Sequence, residues 1–201
     1  LPASAQIMYS MRRSDSAVYM DGKIDELYIY DKTLTASEIA MRYGAGLVGS
    51  WHFSEGAGQV INDMSGNGNN GQQGSSSGAD ANDPSWTASG RFGNALLFNG
   101  ASSYVNIPYN PIFNFGTSDF GIDFWIKTTQ GGQYPALFAR TDDEWGIFLR
   151  NGNIHFFTPT KGNVAFTSQT VNDGNWHLVS IVRMGTTLTM YVDAVSGYSN
   201  T

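Results

Sequence analysis

The stretch Ser118–Lys127, SDFGIDFWIK, limits what this chain can fold into more than any other. Phe120, Ile122, Phe124 and Ile126 fall on one side of an extended backbone, and Asp119, Gly121, Asp123, Trp125 and Lys127 on the other. Successive side chains of a strand point to opposite faces, so this spacing predicts a strand with one face on a core and one face free. Two hairpins extend the pattern. Glu144–Pro159, EWGIFLRNGNIHFFTP, places two short apolar runs around Asn151-Gly152, the strongest short hairpin signal. Asn175–Ala194, NWHLVSIVRMGTTLTMYVDA, repeats the plan around Met184-Gly185. YVNIP (Tyr104–Pro108) and ALLFNG (Ala95–Gly100) add two more strands. Hairpin-linked strands without alternating helices predict an all-β antiparallel sandwich.

One short helix is expected over TASEIAMRYG, where Thr35 caps, Glu38 completes a capping box and Gly44 ends the last turn. Its length of about two turns requires docking on other structure. Met64–Gly90 is mostly Gly, Ser, Asn and Asp. Composition alone makes it a flexible linker, yet so long an unstructured loop inside a compact domain is uncommon and usually functional.

The 201 residues can bury one proper core without staples. A net charge of −6 repels phosphate backbones, so nucleic acid is not an expected partner. No apolar run approaches the roughly 20 residues of a transmembrane helix. The absence of Cys removes disulfides, zinc–thiolate sites and thiol nucleophiles together. The chain opens at Leu1 with neither a start Met nor a signal-like segment, and is expected to be part of something longer.

GLVGSWHFSEGAG…INDMSGNGNNG (Gly46–Gly71) resembles the opening of a laminin-G-like jelly-roll module of the concanavalin A-like lectin/glucanase superfamily. GRFGNALLFNGASSYVNIP (Gly90–Pro108) is similar to its second signature, and FGIDFWIKT, NWHLVSIVR and TLTMYVDA follow in the family's order. The family's closing strand and helix are similar to GKIDELYIYDKTLTASEI, residues 22–39, which stand here before the opening rather than after it. Residues 1–46 are thus expected to be the closing strands and short helix, and residues 47–201 the main body, together one complete module. Two explanations of the rotated order remain open: circular permutation of one module, or one period of a tandem array cut out of phase. The Lys23–Tyr30 strand is expected to pair with a sheet of the main body, its own or a neighbouring copy's, because its absence would expose a sheet edge.

The residues bear on three chemistries. Glycosidases of the superfamily carry their carboxylates as a Glu-x-Asp-x-Glu-like run on one strand face, and hydrolysis needs two carboxyls about 5–9 Å apart. The nearest pattern here is Asp119 and Asp123 around Gly121, without Glu, and His52, His155 and His177 stand isolated on strand patterns. A non-catalytic module is expected. Calcium takes hard oxygens from a turning loop, and Asn62–Gly71 supplies Asp63, Asn67 and glycine-flanked carbonyls. The resemblance adds Glu55 and, from the closing strand, Asp25, which implies a shared structural calcium; the alternative is that Asp63 and Asn67 make Asx turns. Sugar sites join an aromatic platform to polar groups that bond hydroxyls. Two places fit: the loop Ala139–Gly146 with Arg140, Asp142, Asp143 and Trp145, and the outward face of the central strand with Asp123, Trp125 and Lys127. Trp125 matches a tryptophan common across the family, for which packing beneath a loop is the competing role.

The expected function is calcium-stabilised recognition of a glycan or glycoprotein by a secreted or cell-surface bacterial protein. The alternative is a structural or adhesion repeat that contacts neighbouring copies of the same module without a sugar ligand.

Overall fold

The computed structural model describes residues 46–131, 133–139, 145–158 and 162–200. The helix expected over Thr35–Gly44, the Lys23–Tyr30 strand and the assignment of the segment ahead of Gly46 lie outside these residues. Gly46–Thr201 forms one compact unit. No helix among the described residues is long and apolar enough to cross a membrane.

The described fold is an all-β antiparallel jelly-roll sandwich. Strands β1 (Val60–Ile61), β2 (Gly71–Gln73), β3 (Ser85–Thr87), β4 (Ala95–Leu97) and β5 (Val105–Asn106) are short, and a 3-10 turn, Pro111–Phe113, follows them. The longer strands are β6 (Phe120–Lys127), β7 (Gln133–Ala139), β8 (Gly146–Arg150), β9 (Asn153–Thr158), β10 (Gly162–Thr170), β11 (Trp176–Met184), β12 (Thr187–Val192) and β13 (Val195–Asn200). They make two four-stranded sheets, in the orders β10-β9-β8-β7 and β13-β12-β11-β6, with the smaller groups β1-β2-β5 and β3-β4 beside them.

The alternation of β6 is realised residue for residue: Phe120, Ile122, Phe124 and Ile126 are half-buried and pack on the core, whereas Gly121, Asp123, Trp125 and Lys127 are exposed. Register extends these rows across the sheet. Phe124 lies opposite Val179 and Val179 opposite Val192; Ile122 lies opposite Ile181 and Ile181 opposite Met190. The other sheet meets them with Ile147, Leu149, Ile154, Phe156 and Ala165. Each fully buried aliphatic side chain contributes about 1.5–3 kcal/mol of transfer free energy. The Asn151-Gly152 turn forms as its sequence requires, with φ of 50° and 87°; a β-branched residue at either position would be strained.

Met64–Gly90 is a structured stretch rather than a flexible linker, which corrects the compositional reading. It contains β2 and β3, and its polar side chains do the work that apolar ones do elsewhere. Asp80 accepts from the Ser75 hydroxyl at 2.6 Å and from the Asn82 N–H at 2.7 Å, and these bonds hold its carboxyl below the usual range. Gln73 is buried and donates to the Gly58 carbonyl at 2.8 Å. A segment with little to bury is here ordered through hydrogen bonds between its own side chains and backbone.

The inner face of β11 runs His177, Val179, Ile181, Arg183, so its apolar centre ends in a cation or potential cation at each side. Arg183 reaches the Gly116 and Gly185 carbonyls at 2.6 and 3.2 Å. His177 sits between two carboxylates, Nδ1 at 2.7 Å from Asp193 and Nε2 at 2.9 Å from Asp173. A neutral imidazole has one N–H and one acceptor nitrogen, so only the imidazolium can donate to both. The bonds to Asp173 and Asp193 raise the His177 pKa despite partial burial, and the same imidazole holds both carboxyls below their ordinary range. The arrangement ties the turn before β11 to the turn after β12.

The sign of its pH dependence follows. The histidine's contribution is complete below its ordinary pKa and is lost as pH rises through the raised one; the carboxylates' contribution is lost on acidification. Because both carboxylates are about half exposed, solvent screening keeps the effect small. Wild type should melt above His177→Gln by on the order of 2 °C near pH 6, and the gap should close by about pH 9. Melting curves of the two proteins across that range check it; a gap that widens with pH would show the clamp to be wrongly assigned.

Candidate functional site

The outward face of β6 carries Asp123, Trp125 and Lys127, opposite Ser180, Leu178 and Trp176 of β11. The hairpin β3–β4 reaches onto this face. Its strands pair from Ser85 with Leu97 to Thr87 with Ala95, and the Gly90 N–H donates to the Gly93 carbonyl at 2.9 Å. A Cβ on Gly90 would collide with the Gly93 and Asn94 backbone, and Gly93 has φ 77°. The glycine-framed sequence GRFG thus closes a tight tip with Arg91 and Phe92 at its end, and Asn94 anchors it through a 3.0 Å bond to the Ser54 carbonyl.

At that tip the Arg91 guanidinium carbon lies 4.8 Å from the Trp125 ring centroid and 4.9 Å from that of Phe92. Phe92 meets Trp125 edge-on, centroids 5.9 Å apart. Phe92 is 70% exposed and Trp125 37%. Trp125 therefore packs against a loop, the competing role considered for it, and still presents ring surface to solvent. The alternation of β6 brings Asp123 and Trp125 forward from sequence alone, but not Arg91 and Phe92. Those two lie in a motif noticed only as a landmark, and only tertiary structure shows the hairpin tip resting on β6.

Other expected site residues fall differently. Trp145 donates its indole N–H to the Phe113 carbonyl at 3.1 Å and stacks on Phe115, centroids 5.4 Å apart, so its ring belongs to an aromatic column beside the core. Its expected companions Arg140, Asp142 and Asp143 lie outside the described residues, as does Asp25. Asp119 accepts from the Gly185 N–H at 2.6 Å, which ties the start of β6 to the β11–β12 turn. It stands about 13 Å along the strand from Asp123 at ~3.3 Å per residue, beyond the separation of a hydrolytic pair. His155 is buried, stacked on Phe166 at 4.2 Å, and burial with the nearby Arg150 lowers its pKa, so it stays neutral.

The calcium expectation rests on Glu55, Asp63 and Asn67 among the described residues. Asp63 closes its loop through four donors: Oδ1 accepts from the Ser50 and Ser65 N–H groups, and Oδ2 from the Ser65 hydroxyl and the Asn69 N–H, at 2.8–2.9 Å. Burial works against its charge, but these bonds outweigh burial and lower its pKa. All four lone-pair positions of the carboxylate are thereby occupied, so an ion at Asp63 would have to displace a donor. Asn67 donates to the Leu47 carbonyl at 2.8 Å. Glu55 differs: Oε1 accepts from the Asn62 backbone and side chain at 2.7 and 3.1 Å, while Oε2 is buried without a hydrogen-bond partner among the described residues. No group of three His, Asp or Glu among the described residues could hold a metal ion, so a calcium site there would draw mainly on Glu55, amide and backbone oxygens.

The sequence profile of the laminin G class in the concanavalin A-like lectin/glucanases superfamily matches residues 99–201. A search of curated proteins finds no match. Among solved structures, the binding domain of Paraclostridial Mosquitocidal Protein 1 is similar at 21% identity and TM-score 0.57, over 70% of this chain and 37% of that one. Domain 4 of AbnA, an extracellular arabinanase from Geobacillus stearothermophilus solved with arabinotriose, is similar at 19% identity and TM-score 0.50, over 69% of this chain and 68% of that one. Domains LG4-5 of the mouse laminin α1 chain match at 20% identity and TM-score 0.35, over 43% and 24%.

The bonding of Asp63 makes a prediction independent of any ion. Asp63→Ala should lower stability by about 1–3 kcal/mol, the effect of leaving part-buried donors unsatisfied, and should do so in EDTA as well as in calcium. Urea unfolding in both buffers measures it. An unchanged midpoint in EDTA would mean that the loop holds together without the carboxylate.

Proposed function

Because the chain belongs to the concanavalin A-like lectin/glucanase superfamily, in its laminin G class, we propose that it is a non-catalytic glycan-binding module of a secreted or cell-surface protein. The observation that carries the reading is the group on the outward face of β6. Trp125 and Phe92 offer apolar ring surface for the CH face of a sugar. Arg91 makes no hydrogen bond or ion pair among the described residues, and neither does Asp123. Donor and acceptor therefore flank the rings with bonding capacity to spare, the composition that hydroxyl recognition uses. The arabinotriose complex of the similar AbnA domain supports the same class of function. Asp119 is engaged at a turn and distant from Asp123 along the strand, which supports binding without hydrolysis.

A glycan array, followed by titration of the best ligand, tests this. Trp125→Ala should weaken binding by about fivefold or more, as loss of a stacking platform costs about 1 kcal/mol, with no sugar released from any bound polysaccharide. Turnover that vanished on changing Asp119 or Asp123 to Asn would overturn the non-catalytic reading. An array with no ligand at all would favour a spacer or adhesion repeat.

Calcium is proposed as a stabiliser at Glu55, whose Oε2, buried and without a hydrogen-bond partner among the described residues, is the supporting observation. A bound ion stabilises by about 2.7 kcal/mol at 100 times its dissociation constant. EDTA should therefore lower the melting temperature of wild type and leave Glu55→Gln almost unaffected. Equal midpoints for wild type with EDTA and with calcium would remove the ion from the account.

A further inference from the structure

We propose that the glycan recognised at Trp125 is acidic, with its carboxylate received by Arg91; this rests on the glycan-binding reading above and names the ligand class. The described cations differ in how they are used. Arg183 is bonded to the Gly116 and Gly185 carbonyls, and Arg150 lies over Phe166 and has further interactions. Arg91 and Lys127 make no hydrogen bond or ion pair among the described residues, and both belong to the surroundings of one exposed tryptophan. Lys127 shares the outward face of β6 with Trp125, two residues along, a separation of about 7 Å.

Arg91 is also held in place. Its guanidinium lies over two rings, on a hairpin tip closed by the Gly90–Gly93 bond. The guanidinium carbon lies within 5 Å of both ring centroids, and its N–H donors, which make no hydrogen bond among the described residues, are left for a carboxylate to accept from in bidentate fashion. Neutral sugars need no fixed cation. A chain of net charge −6 has few to set aside, so two cations without partners beside the platform point to a negative ligand group. Asp123, on the same face at the opposite side of Trp125 from Lys127, repels such a group. The charge pattern along the strand is therefore anion, ring, cation. A sugar lying across Trp125 would set its hydroxyls toward Asp123 and its carboxylate toward Arg91 and Lys127.

The experiment titrates the whole chain with oligogalacturonate and with neutral arabinan and xylan oligosaccharides of similar length, by calorimetry at about 50 mM and 500 mM salt. The proposal expects oligogalacturonate to bind more tightly than either neutral sugar and to weaken in high salt. It expects Arg91→Gln to lose about tenfold, the scale of a charge-assisted hydrogen bond, and Arg91→Lys to lose less. Asp123→Asn, which removes the repelling charge while its amide oxygen still accepts from hydroxyls, should tighten the uronate more than the neutral sugars. Melting temperatures of the Arg91 and Asp123 variants, expected to match wild type because both side chains are exposed, show that folding is intact. If a neutral sugar binds best, with Arg91→Gln silent and Trp125→Ala disruptive, the acidic ligand is wrong and the glycan-binding reading stands. If no glycan binds and Trp125→Ala changes nothing, the reading fails and takes this inference with it.

Discussion

Everything on the outward face depends on the register of β6 against β11. The pairing that sets Phe124 opposite Val179 and Ile122 opposite Ile181 fills the space between the two large sheets. Because the side-chain period of a strand is two, the same pairing turns Asp123, Trp125 and Lys127 outward. A slip by one residue would exchange the two sets, burying a carboxylate, an indole and an ammonium while exposing four large apolar side chains. The core therefore specifies where the platform stands, with no separate device to position it. The ends of the inner face of β11 make the same point. His177 and Arg183 occupy inward positions only where the core gives way to turns, and each is answered there by carboxylates or carbonyls.

How much of this could be read from the chain varies with how local the cause is. The alternation of β6 and the Asn151-Gly152 turn were legible because each depends on a few adjacent residues. β7, β10 and β13 were not singled out, for identifiable reasons. β7 contains Pro135, which weakens a strand pattern, and its pairing with β8 shifts register. β10 and β13 are rich in Ser, Thr, Asn and Gly, and each has an irregularity in its ladder. They are strands because of the neighbours they pair with more than because of their own composition.

Met64–Gly90 misled composition in the opposite direction. Its Gly, Ser, Asn and Asp residues suggest a linker when counted, but their order makes Asx and Ser turns at particular points. Asn69 is the clearest case. It is 5% exposed, donates to the Val48 carbonyl, accepts from Asn110, and its carbonyl receives the Trp51 indole N–H. A buried amide with this many long-range partners cannot be recognised from a window of sequence, because its partners lie from 18 to 41 residues away. Arg91 and Phe92 were missed for the same reason. The contact that gives them meaning is with a strand more than thirty residues later.

Residue type alone therefore separates structure from function poorly in this chain, and bonding state separates them better. Asp63 and Asp119 hold turns together, and the donors around Asp63 occupy every acceptor position on its carboxylate. Asp123 has no such donors among the described residues, although it lies only four residues from Asp119. Trp145 and Trp125 divide in the same way: one has its N–H bonded and its ring in the aromatic column, the other keeps more than a third of its surface in solvent beside a guanidinium. A polar group that folding has already satisfied gains little from a ligand, since binding must first break what it has. A group that folding has positioned but left unbonded loses only water, and its ordering has been met by the core and hairpin that hold it. By that criterion the face of β6 is, among the described residues, a place with bonding capacity left for the partner we propose.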